Sequence, residues 1–136
     1  MGNGPTGIVG MKMVETVSLD EYFENKETPI DIIKIDVEGA EFSVLVGMKN
    51  IIRSNDNLRI FAEFFCPREP QKSEYSLKEY WDKLVEFGFK YIYVINEQAR
   101  RLEITDSVSL LRYCEYVSAA KIKSPNLLCT KSAIDM

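Results

Sequence analysis

Ile30-Asp31-Ile32-Ile33-Lys34-Ile35-Asp36-Val37-Glu38-Gly39-Ala40-Glu41 is the stretch that decides the fold. Four isoleucines in six positions form a run that stops at an aspartate. Three carboxylates and a glycine follow in the next six residues, and then a helical pattern begins. A buried parallel strand delivers acidic groups to the rim of an α/β sheet in this way, and such folds place their ligands at that rim.

Upstream, Ser18-Leu19-Asp20-Glu21 is a capping box: Ser18 caps and Glu21 reaches back. It predicts a short helix to about Asn25, with Leu19, Tyr22 and Phe23 facing inward. Thr28-Pro29 ends that helix and opens a strand over Ile30–Ile35. Downstream, Val44, Leu45, Met48, Ile51 and Ile52 share one face at helical spacing, which predicts one helix from about Glu38 to Ser54. Leu58–Phe65 reads as a second strand with Glu63 near its end. Pro67–Ser73 reads as a polar loop.

Ser76-Leu77-Lys78-Glu79 is a second capping box. Its helix places Leu77, Tyr80, Trp81, Leu84 and Val85 on one face and stops at Gly88. Phe89–Ile95 reads as a strand, with a short one near Leu102–Ile104. Asp106 caps a helix through Tyr113, Tyr116–Ile122 fits strand or helix, and Asn126–Thr130 is a final strand. Alternation of this kind predicts an α/β fold with a mostly parallel sheet.

The 136 residues suffice for one domain, expected to span 1–136 with a flexible N-terminal loop over 1–13 and a frayed tail over 132–136. A net charge of −4 argues against a nucleic-acid scaffold. No apolar run approaches the ~20 residues of a membrane helix. Gly2-x-Gly4-x-x-Gly7 matches a dinucleotide loop only formally, because Met1 alone precedes it and Pro5 lies inside it. Cys66, Cys114 and Cys129 are odd in number and widely spaced, so a reduced, cytoplasmic chain is expected. The sequence has no histidine, which excludes Ser-His-Asp and Cys-His systems and any His-ligated zinc site. Acid–base chemistry must come from Asp, Glu, Lys, Tyr or Cys.

The acidic strand end has a plain structural reading. Carboxylates at a helix start meet unsatisfied N–H groups, so Asp36 or Glu38 caps the helix and Glu41 is solvated. A metal-dependent hydrolase reading also exists, because Asp36-x-Glu38 resembles the first motif of DEDD-type exonucleases. It lacks support: those enzymes need a His-x-x-x-Asp or Tyr-x-x-x-Asp element, which the chain does not contain.

The stronger likeness is elsewhere. Val17 and Leu19-Asp20, then Lys34-Ile35-Asp36-Val37-Glu38-Gly39-Ala40-Glu41, then Val44-Leu45 and Gly47 resemble the FkbM family of S-adenosylmethionine-dependent methyltransferases. The resemblance is strong over roughly Val14–Gly47 and weaker to the final strand. It implies a Rossmann-like methyltransferase fold, truncated here, with Ile30–Ile35 as fourth strand, Glu63 closing the fifth, and an antiparallel last strand at Asn126–Thr130.

It also implies roles. Asp36 and Glu63 become the catalytic candidates, and Asp36, Glu38 and Gly39 the candidates for contact with the donor, S-adenosyl-L-methionine. No metal is called for. Phe64, Phe65, Tyr75 and Trp81 could line an acceptor pocket, although Trp81 fits core better.

A full family member opens with a strand and a glycine-rich donor loop, then a second strand with an acid for the ribose. Neither is found in these residues. The expectation is therefore a fragment that binds the donor weakly or not at all alone. It would act as part of a split O-methyltransferase on a small-molecule or sugar hydroxyl, or as a non-catalytic interaction module. Its exposed Ile30–Ile35 edge should pair with a second copy or with a separate donor-binding chain.

Overall fold

In the computed structural model, the described residues are 13–37, 39–64, 66, 75–120 and 123–134. They form ten elements: α1 (Leu19–Phe23), β1 (Ile32–Ile35), α2 (Glu41–Val46), α3 (Lys49–Ser54), β2 (Arg59–Glu63), α4 (Leu77–Glu86), β3 (Tyr91–Asn96), β4 (Arg101–Ile104), α5 (Ser107–Ala120) and β5 (Asn126–Thr130). The Gly2–Gly7 motif, Glu38, Phe65 and the Pro67–Ser73 loop lie outside the described residues.

One five-stranded sheet in the order β1-β2-β5-β3-β4 organises the chain. β1 and β2 are parallel, with Ile33 opposite Ile60 and Ile35 opposite Ala62. β5 runs antiparallel between β2 and β3. β3 and β4 form an antiparallel pair at the far edge. The antiparallel last strand is as expected, but the mostly parallel sheet is corrected: one of the four neighbouring pairs is parallel. The cause is the insertion of β5, which converts both of its contacts, together with the β3–β4 pairing. The fold is mixed α/β.

The alternation of strand side chains sorts the sheet into two faces. Ile35, Ile60, Ala62, Ile92, Leu127 and Cys129 point into the core, where Leu45, Met48, Ile52, Tyr80, Leu84, Leu110, Cys114 and Val117 meet them. α2, α3, α4 and α5 thus all pack on one face. On the other face Phe61, Leu128 and Tyr93 form a cross-strand row. Ile32, at the edge of that face, is 58% exposed.

Several local expectations are revised. The helix expected over Glu38–Ser54 is two helices, broken at Gly47-Met48. Asp20 explains the break. Its carboxylate accepts the Asn50 and Ile51 amides at 3.0–3.1 Å, and its own amide donates to the Gly47 carbonyl at 2.9 Å. A residue thirty positions upstream therefore caps α3. A Cβ at Gly47 would meet Ser18 Cβ at 3.4 Å, an ordinary van der Waals contact.

The ambiguous Tyr116–Ile122 stretch is mostly helix, because α5 continues to Ala120. Asp106 does cap it, accepting the Ser109 amide at 2.8 Å. Tyr22 and Val85, expected inside, are exposed. Lys26 places its ammonium over the Tyr22 ring, which keeps that ring at the surface. Trp81 packs against the core, as favoured.

The cysteine expectation is also corrected. Cys66 and Cys114 form a disulfide across 48 residues, with Cα atoms 5.2 Å apart. The bond joins Cys66, three residues past the end of β2, to α5. Cys129 remains a free thiol inside the core.

Candidate active site at the strand rim

The C-terminal ends of β1 and β2, the start of β5 and the end of β3 share one rim. Register fixes this, because Ile35 stands opposite Ala62, Glu63 opposite Asn126, and Val94 opposite Leu127. Asp36 leaves the end of β1 and is exposed. The Lys34 ammonium pairs with its carboxylate. That hydrogen bond, then the Lys34 charge, holds the Asp36 carboxyl below the usual carboxylate value, and Lys123 adds to the effect from across the rim. Asp36 is therefore an anion facing solvent at neutral pH.

Glu63 is half-buried and ends β2. With Lys34, Ile32, Phe61, Glu97 and Asn126 it lines a cavity of about 400 Å³ on the face of the sheet opposite α2–α5. Asn126 Nδ2 donates to Glu97 Oε1 at 3.2 Å, closing one side of this cavity. A second groove of about 710 Å³ lies beyond it, between the β3–β4 hairpin and the start of α5, with Lys123, Tyr113 and Ser109 on its walls. The rim thus carries Asp36 and Glu63, the two expected catalytic candidates, on neighbouring strands. It also carries Glu97, Lys123 and Asn126, which sequence reading did not single out. Asn126 had a signal, being a polar residue opening an otherwise apolar strand. Glu97 and Lys123 had none.

The acidic turn itself departs from expectation. Glu41, read as solvated, is completely buried. Both of its carboxylate oxygens accept the Gly39 amide at 3.0 Å, and the Tyr75 hydroxyl donates to Oε2 at 3.1 Å. Tyr75 also stacks on Phe42 with ring centroids 4.9 Å apart. Burial, then the Glu41 charge and the bond to it, push the Tyr75 phenol well above its ordinary value, so it stays a neutral donor. Gly39 has φ of 109°, which an L side chain would strain to adopt. Tyr75, offered as an acceptor-pocket residue, braces Gly39 through Glu41. Among the described residues no group of three or more acidic or thiol side chains is placed to hold a metal ion.

A sequence model described as the methyltransferase FkbM domain matches residues 7–91, more than half of the chain. The chain belongs to the FkbM methyltransferase domain family. The match contains β1, the acidic turn, β2, α4 and the first residue of β3. No curated protein and no solved structure matches the chain.

Proposed function

We propose that the chain supplies the acceptor side of an S-adenosyl-L-methionine-dependent O-methyltransferase acting on a small-molecule or sugar hydroxyl. The observation carrying this reading is Asp36, a solvent-facing anion at the end of β1 inside the family match. The sheet order supports it: two parallel strands, then an antiparallel last strand, then a strand parallel to the first two. The acceptor half of a Rossmann-like methyltransferase sheet has that arrangement.

The donor fits in part. Its sulfonium is a cation and suits an anionic rim, which Asp36 provides. Its adenosine needs an apolar wall and an acid for the ribose diol. Ile32 and Phe61 offer the wall, but the described residues show no glycine-rich loop preceded by a strand and no second-strand acid for the ribose. The donor supplies an activated methyl group, and the protein's task is to orient the acceptor and remove its proton. Asp36 would accept or orient that hydroxyl proton, with Glu63 the next candidate. A separate donor-binding chain or a further part of the same polypeptide would complete the site at the β1 edge.

Calorimetry tests the division. The 136-residue chain alone should show no saturable micromolar binding of S-adenosyl-L-methionine. Adding the donor-binding half of a complete FkbM domain should restore binding and methyl transfer from labelled donor. A saturable micromolar isotherm for the chain alone defeats the division, and label transfer unaffected by Asp36→Asn defeats the role of Asp36.

A further inference from the structure

Glu41 is the one fully buried carboxylate among the described residues. It has no exposure to solvent, and no lysine or arginine pairs with it among the described residues. A carboxylate buried without a cation is costly unless hydrogen bonds satisfy it. Here the Gly39 amide and the Tyr75 hydroxyl do so. The two donors come from different places. Gly39 follows Asp36, at the end of β1, by three residues. Tyr75 stands at the threshold of α4, two residues before its first residue.

A helix start could be capped more cheaply. Ala40 sits at the cap position of α2 and makes no side-chain cap bond, whereas Ser76 caps α4 with an exposed hydroxyl. Glu41 instead reaches back over the turn and grips the amide of a glycine with positive φ. We propose that Glu41 is a positioning residue for Asp36. Its buried carboxylate fixes Gly39, three residues after Asp36, and, through Tyr75, ties Gly39 to the segment entering α4. This rests on the reading of Asp36 as the rim acid.

Glu41→Gln and Tyr75→Phe test it in the full chain. The first change keeps the side-chain shape but loses an acceptor and the charge. The second keeps the stacking on Phe42 and loses the hydroxyl. Hydrogen exchange is read at Gly39, in the turn, and at Ile60, in the core strand. Glu41→Gln should speed exchange at Gly39 by about tenfold or more while Ile60 changes little. Tyr75→Phe should do the same more weakly, and it remains informative if the first variant does not fold.

With the donor-binding half added, Glu41→Gln should lower kcat for methyl transfer with the donor KM held. Combined with Asp36→Asn it should cost nothing further, since both changes then remove one function. Equal loosening at Gly39 and Ile60, or additive losses in the double variant, would overturn the proposal in favour of plain helix capping. Absence of methyl transfer in the wild type defeats the methyltransferase reading by itself. Exchange at Gly39 then still decides whether Glu41 sets the turn.

Discussion

At the scale of single residues, the rim acid and the buried polar groups behave oppositely. Asp36 is exposed, so Asn in its place should leave the melting temperature unchanged while methyl transfer in the assembled enzyme falls by orders of magnitude. Equal losses in turnover and melting temperature would instead make Asp36 a structural cap. Because its folded pKa lies below the ordinary 3.8, any stability it adds is present above that value and lost as pH falls through the folded one.

Tyr80 is the reverse case. Its hydroxyl is buried and has no partner among the described residues. Burial raises its phenol pKa and pushes the Cys129 thiol up to about 12 from 9.0. The unfolded chain then loses these protons first as pH rises, so stability is full below pH 9 and declines above it. Tyr80→Phe removes an unsatisfied group and should leave melting at pH 7 unchanged or raise it, with a shallower alkaline decline. A clear loss of stability in that variant would mean that the hydroxyl has a partner after all.

The position of Asp36 was legible because a strand end and a carboxylate are local facts. The burial of Glu41 was not. Its direction depends on Tyr75, which lies 34 residues away.

At the scale of elements, local signals were read well and non-local ones were not. The Ser76 capping box is complete: Ser76 Oγ accepts the Glu79 amide and Glu79 Oε2 accepts the Ser76 amide. At Ser18 only the forward half is seen, with Oγ accepting the Glu21 amide at 3.1 Å. Ser76→Ala should therefore destabilise the fold by about 1 kcal/mol, measured as a shift in the urea midpoint at constant slope. An unchanged midpoint would show that α4 is held by its apolar face alone, through Tyr80 and Leu84. The helix periodicity over Val44–Ile52 was also correct, with Leu45, Met48 and Ile52 all fully buried. What periodicity could not show was the break at Gly47-Met48, because Asp20 imposes it from another element. Strand order is similarly hidden. Each strand announces itself by composition, but the seating of β5 between β2 and β3 is decided by the whole sheet.

At the scale of the whole molecule, the sheet is unevenly finished. The far edge ends in β4, a short strand whose Arg101 and Glu103 pair with one another. β1, at the near edge, has β2 as its one neighbour among the described residues. Its first residue Ile32, 58% exposed, and Val37 beyond its end, 42% exposed, are apolar, and its charges are Lys34 and the adjoining Asp31 and Asp36. An apolar edge of this kind recruits another strand. A two-fold axis is the simplest way for a second copy to supply it. With Ile35 opposite Ile35 in an antiparallel pairing, Lys34 of one copy stands opposite Asp36 of the other, so the charges complement twice. The chain should sediment as a dimer at low micromolar concentration, with slow amide exchange over 32–35. Adding a donor-binding half should compete for the same edge and dissolve the dimer. Lys34→Glu sets like charges opposite one another and should shift the chain toward monomer at equal concentration. A monodisperse wild-type monomer with rapidly exchanging amides in β1 would rule out pairing at this edge.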